Sequence, residues 1–312
     1  MKRKIIKQGH NTLTVTLPKK WCDFHNLKGG NEIEVLEEDE KIIVTPQENR
    51  TESIISIDIT GMDRCSILYA IRNAYRMGYN EISLKFDNST TQYYEFERTD
   101  NVLSIIHYEV DHLVGVEIIS QTKNSCIIRD LSSPHAEEFD PVLRRIFLVL
   151  INAAEELTEG MKASDYDLVK TTEEKHNTIT KFASYCLRMI NQGLSIGYKQ
   201  HTLIYHIIAN LDKIADVMKY TARSYNFHKK EMGPTTLKLL NRMVDSLRMY
   251  YEFFYKGDTK KAVELDKNRG EILRLIREKC TDFPKEEMLI LTNLEQMLEL
   301  LADLVVARMG LN

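Results

Sequence analysis

From residue 134 to the end of the chain, apolar residues recur at helical spacing and the period never changes. That stretch is more than half of the 312 residues. It restricts the fold more than any other feature, because so much uninterrupted helix must find helical neighbours to cover its apolar stripes. Pro134 and Pro141 mark the entry. Gly193 and Gly197, Gly233-Pro234, Gly257 and Pro284 divide the stretch into helices expected at about 137–161, 165–192, 200–227, 235–256, 258–281 and 285–309. Asp258 and Thr259 can cap the fifth. Long helices with short connections predict an antiparallel bundle.

The bundle carries an internal repeat. Asn210-Leu211-Asp212-Lys213-Ile214-Ala215-Asp216 matches Met297-Leu298-Glu299-Leu300-Leu301-Ala302-Asp303, both on the third helix of a three-helix unit. The segment Thr172 to Asn177 lines up with the stretch that begins at Leu265-Asp266. Two three-helix halves related by duplication are the simplest reading.

Each half places two acids four residues apart, Asp212 with Asp216 and Glu299 with Asp303. Such carboxylates share one helix face and repel, so each pair needs a counter-charge or a metal ion. Oxygen donors one turn apart can share a metal with a neighbouring helix, as in carboxylate-rich bundles. A solvated acidic face is the plainer alternative. Within the bundle, the pair of Glu-x-x-His motifs that an oxygen-activating di-iron enzyme draws from two helices is not present, which counts against that reading.

The other end of the chain is basic. Residues 1–30 carry Lys2, Arg3, Lys4, Lys7, Lys19, Lys20 and Lys28 against Asp23, and an acidic block, Glu32 to Glu40, comes next. Thr12 to Leu17 alternates polar and apolar, the period of a half-buried strand, and Pro18 stops it. Lys19 to Asn26 reads as a short helical turn with Trp21 as its packing anchor. After Gly29-Gly30, residues 32–36 and 41–44 flank an acidic tip as a hairpin would, and Pro46 ends the unit. A piece of this size cannot bury a core alone, so it is expected to dimerise. Dimerisation would double its cations, enough to neutralise several phosphates and give steep salt dependence.

Between these ends, residues 53–130 change type repeatedly. Strands are expected at 54–59, 81–86, 114–120 and 125–129, and helices at 63–77 and 99–112. That reads as a small α/β domain, with residues 87–98 left without an assignment. The expected domains are 1–47, 48–133 and 134–312.

Composition narrows the function. Lys and Arg total 42 against 46 Asp and Glu, a net charge of −4, so a nucleic-acid surface must be local. The five cysteines are scattered without a CxxC pair, which argues against a disulfide framework or a zinc ribbon and for reduced thiols, mostly buried. The nine histidines show no zinc spacing. There is no nucleotide-hydrolysis, dinucleotide, zinc-protease or serine-hydrolase signature. No apolar run is long enough to span a membrane, and no secretion signal is evident, so a cytoplasmic protein without membrane insertion is expected.

Two resemblances rest on these residues. HNTLTVTLPKKWCDFHNLKGGNEIEVL resembles the AbrB/MazE/SpoVT swapped-hairpin DNA-binding domain, with Gly30-Asn31 where that family usually has Gly-Asp. The resemblance implies two intertwined chains presenting basic side chains to double-stranded DNA. By position these would be Lys2, Arg3, Lys4, Lys7, His10, Lys19 and Lys20. NLDKIADVMKYTA and MLELLADLVVARM resemble the paired acidic signatures of the PhoU family of phosphate-uptake regulators, with Val217 and Leu304 where histidine often comes after the acid. That resemblance implies a fold of two three-helix bundles. It also implies a divalent metal or metal cluster (iron, zinc, manganese or magnesium) on Asp212, Asp216, Glu299 and Asp303, with Glu174 and Asp266 on the neighbouring helices. VGVEIISQTKNSCIIRDL is similar to the middle segment of archaeal regulators with this domain order, where a dimerisation role is the expectation.

The expected protein is a non-enzymatic homodimer that binds DNA through its N-terminal domain, senses a signal or metal through its helices and controls phosphate uptake. One alternative is an adaptor that docks on a phosphate ABC transporter ATPase or a signalling protein, with the N-terminal domain serving dimerisation only. A carboxylate-bridged metalloenzyme is the other.

Overall fold

The computed structural model describes residues 2–9, 12–38, 41–46, 53–132, 135–194 and 197–311. The chain divides into two compact units, Met1–Glu52 and Ser53–Asn312.

In the first unit, β1 (Ile6–Gln8) pairs antiparallel with β2 (Thr12–Thr14), Ile6 opposite Thr14. The second strand is shorter than the alternation predicts. Helix α1 (Lys19–Phe24) begins directly after Pro18, whose φ of −61° suits a helix entry. Gly30 turns the chain at φ +93°, a conformation open to glycine, and the Lys28 amide donates to Asn31 Oδ1 at 2.6 Å. An aspartate oxygen would accept the same bond, so Asn31 keeps this turn intact. Strands β3 (Ile33–Glu38) and β4 (Lys41–Pro46) then form the expected hairpin, with Val35 opposite Val44. Among the described residues of this unit no side chain is buried, while Ile5, Ile6, Leu13, Val15, Phe24, Val35 and Ile42 are exposed.

The second unit starts with a four-stranded sheet in the order β5-β6-β10-β9. Its strands are β5 (Ile54–Asp58), β6 (Glu81–Lys85), β9 (Val116–Gln121) and β10 (Ser125–Asp130). Helix α2 (Arg64–Arg76) connects the parallel pair β5 and β6. It is capped by Asp63, and Gly78 at φ +93° turns the chain back toward the sheet. The segment without an assigned structure folds as a small hairpin, β7 (Thr90–Tyr93) and β8 (Arg98–Asn101), around a 3-10 turn at Tyr94–Phe96. Helix α3 (Val102–Asp111) therefore starts later than expected. Asn101 caps it by accepting from the Ser104 amide, and the residues before it pair as a strand. Ile82, Leu84, Cys126 and Ile128 on the sheet meet Ile67, Ile71, Tyr75, Ile105 and Ile106 in the core of this layer.

The expected helices come next: α4 (Phe139–Ala163), α5 (Tyr166–Asn191), α6 (His201–His228), α7 (Pro234–Lys256), α8 (Thr259–Glu278) and α9 (Lys285–Met309). They form two three-helix repeats, with α4 packed on α7 and α6 on α9 across the join. The expected boundary near 133–134 falls on residues outside those described, and the α/β layer and the helices form one compact unit. Helix α2 packs on α5. No described helix is long and apolar enough to cross a membrane. Cys126 and Cys186 are buried, Cys22 and Cys65 half-buried and Cys280 exposed, so fewer thiols are hidden than expected.

Candidate functional site

The basic terminus has the simpler geometry. Lys2, Arg3, Lys4, Lys7, Lys19 and Lys20 are all exposed, and none is paired with a carboxylate among the described residues. Strand β1 and the start of α1 carry Lys7, Lys19 and Lys20, so a fixed backbone presents these charges. His10 lies outside the described residues. Trp21 is half-buried, its ring 5.0 Å from that of His25, consistent with a packing role.

Within the second unit, the first acid pair lines a cleft of about 390 Å³ between the α/β layer and the first helical repeat. Asp212 and Asp216 enter it from α6. Arg76, at the end of α2, reaches Asp212 Oδ2 at 3.0 Å and also donates to Ser184 on α5. The Thr180 hydroxyl donates to the other Asp212 oxygen at 2.7 Å. Asp216 Oδ1 lies 2.9 Å from His176 Nε2 and accepts from Lys219 Nζ at 2.8 Å, while Lys213 approaches Oδ2 at 3.3 Å. Burial alone would raise the Asp216 carboxyl, but the bonds from His176 and Lys219 outweigh it and hold the group well below the usual carboxylate range. Arg223, two turns further along α6, bridges Glu95 on the hairpin turn and Glu173 on α5.

The second pair is set differently. Arg269 on α8 grips both oxygens of Glu299 at 2.7 Å and stands 3.7 Å from Asp266. His176 and Arg269 hold matching places, each eleven residues past the aspartate that caps its helix, Asp165 or Asp258. The duplication thus extends to the place of the nitrogen group, although His176 meets the second acid of its pair and Arg269 the first. Asp303 and Glu174 are exposed, and no side-chain bond joins either to the other four acids among the described residues.

Two of the six acids therefore share the cleft, and two share Arg269. Among the described residues, no group of three or more His, Cys, Asp or Glu side chains is arranged to hold a metal ion. The donor set in the cleft suits side-chain cations, the counter-charge that the spacing left open, and a metal at Asp212 and Asp216 would have to displace Arg76 and Lys219. Sequence reasoning missed His176, Arg76 and the hairpin carrying Glu95. His176 stands four residues before Thr180, a one-face helical spacing that was legible but pointed to no partner.

The family described as antidote-toxin recognition MazE, bacterial antitoxin, matches residues 6–52. No curated protein matches the chain. Among solved structures, one described as a PhoU-like phosphate regulatory protein from Shewanella oneidensis MR-1 shares 14% identity at a TM-score of 0.37, covering 55% of this chain and 93% of that one. So loose an overlay does not equate the two folds. The segment with a recognised family is the N-terminal one, residues 6–52, which is similar to the MazE antitoxin domain.

Proposed function

We propose that this chain is a homodimeric regulator of phosphate uptake that binds double-stranded DNA through its N-terminal unit and receives its signal through the second unit. The observation that carries the reading is the pairing of unneutralised cations with unburied apolar side chains in residues 2–46. Leu13, Val15, Val35 and Ile42 are exposed although they lie on or beside strands. Leaving such a set in water forfeits the main driving force of folding, and a second copy restores it. The dimer doubles the exposed lysines, and cations fixed on β1 and at the start of α1 suit a phosphate backbone. The match of residues 6–52 to the MazE family and the resemblance of the paired acidic segments to PhoU regulators support the same reading.

The test is a DNA titration across a salt series, using fragments from upstream of the chain's own gene and of phosphate-transport genes. The full chain should bind with a steep salt slope and a site preference. Joint replacement of Lys4, Lys7, Lys19 and Lys20 by alanine should flatten that slope and remove most of the affinity. Val35→Asp should shift the sedimentation of the full chain from dimer to monomer. Unchanged DNA affinity in the lysine variant would overturn the DNA-binding reading.

One observation favours the adaptor alternative, in which the chain docks on a transporter ATPase. An apolar groove between α8 and α9 leaves Val263, Val306 and Met309 exposed, and exposed apolar strips of this kind mark protein contacts. A dimer without DNA affinity would leave that reading in possession.

A further inference from the structure

We propose that the cleft between α2, the β7–β8 hairpin and α6 binds a nucleotide, its phosphates on the cleft's cations and its base against the cleft's aromatic rings. The site is chemically unlike a mere seam between layers. Six cationic side chains, Arg64, Arg72, Arg98, Lys213, Lys219 and Arg223, line it beside four carboxylates, and Asp100 and Glu109 also pair with Arg64, Arg98 and Arg72.

Two places hold more positive charge than their acids neutralise. Arg64 and Arg98 both lean on the single carboxylate of Asp100, at 3.1 and 3.0 Å. Lys213 and Lys219 both lean on Asp216, which His176 also meets. At a third place the balance is reversed, Arg223 meeting both Glu95 and Glu173, so an anion entering the cleft would find half-committed donors at the first two places.

The rings supply the second half of the argument. Tyr69, Phe96, Tyr108 and Tyr220 border the same cleft and are exposed, Tyr69 at 58%. Arg64 already lies over Tyr93 at 4.4 Å and over Tyr108 at 5.2 Å, so flat groups stack here. Free phosphate would use the cations and leave the rings wet. An apolar ligand would strand the charges. A planar base joined to phosphates uses both, and about 390 Å³ falls within the range of small-ligand pockets. As the signal sensed by the second unit, the nucleotide rests on the regulatory reading above; the binding itself does not, and it is measured without DNA.

The experiment is calorimetric titration of the full chain with ATP, GTP, AMP, adenosine and inorganic phosphate. At least one nucleotide should bind, and adenosine and inorganic phosphate should each bind at least tenfold more weakly. Tyr69→Ala removes an exposed ring and Lys213→Gln a side chain 49% exposed, so both variants should keep the circular dichroism of the parent. Each should weaken the nucleotide by about tenfold. The proposal fails if no nucleotide binds, if phosphate alone binds as tightly, or if neither variant changes the affinity. A failure here leaves the DNA titration untouched, and a chain without DNA affinity can still pass this test.

Discussion

Arg188 on α5 donates to Asp130 at the end of β10 at 2.6 Å, in a pair whose side chains are only 1% and 3% exposed. The same guanidinium donates to the Tyr75 and Tyr79 carbonyls at 2.7 and 2.9 Å and lies 4.8 Å from the Tyr75 ring. One side chain thus ties the helical repeat to the last sheet strand and to the end of α2. A carboxylate and two carbonyls meet its donors, which is the condition for a charge to be tolerated in an interior.

Replacing Arg188 by leucine leaves the Asp130 carboxylate buried without its cation. The expected loss is about 3–5 kcal/mol, read from urea unfolding of the full chain. Adding Asp130→Asn should recover part of that loss, because the stranded charge goes with it. Additive losses in the double variant would show that the two residues do not act as a pair.

Glu287 offers a second test. It is buried on α9, accepts from the Gly233 amide at 2.9 Å and from the Thr236 hydroxyl, and so caps the first turn of α7, which has no side-chain cap of its own. Glu287→Ala should cost about 1–3 kcal/mol, with Glu287→Gln closer to the parent because its carbonyl still accepts. Thermal unfolding of the three proteins in parallel checks the order.

Asp216 predicts a pH dependence of definite sign. Its folded carboxyl is held well below the ordinary aspartate value of 3.8, so the stabilisation from His176 and Lys219 is present above that value. It is lost as pH falls through the depressed folded value. The stability gap between the parent and Asp216→Asn should therefore be full above about pH 5 and narrow progressively below about pH 4. A gap that widens on acidification would contradict the ion-pair assignment.

The thiols should react in a graded order. Cys280 is exposed, whereas burial pushes the Cys126 thiol up to about 11 and the Cys186 thiol higher still. An aromatic disulfide reagent should label Cys280 promptly and reach Cys126 and Cys186 only in denaturant. Mass mapping of the labelled peptides distinguishes the sites.

The helical half was legible because its information is local. Apolar residues at helical spacing, a cap such as Asp258 and breakers such as Gly257 and Pro284 act within one or two turns, and α4 to α9 begin and end within about three residues of where those signals place them. The duplicated acid pairs were legible for the same reason, since spacing along one helix fixes which side chains share a face. The β7–β8 hairpin was not. Its strands of four residues are too short and too polar to show a period, and they form because the two segments bond to each other.

The partner that meets each acid lies beyond any local signal. Arg76 is 136 residues from Asp212 and His176 is 40 from Asp216. Their encounters depend on how α2 lies on α5 and how α5 lies on α6, which side-chain packing decides. The chain order alone determined the helices, the repeat, the β3–β4 hairpin and the paired carboxylates. Tertiary structure alone decided that one pair faces an arginine- and tyrosine-lined cleft while only Glu299 of its duplicate closes on an arginine, Arg269, because the α/β layer packs on the first repeat and brings its own cations with it.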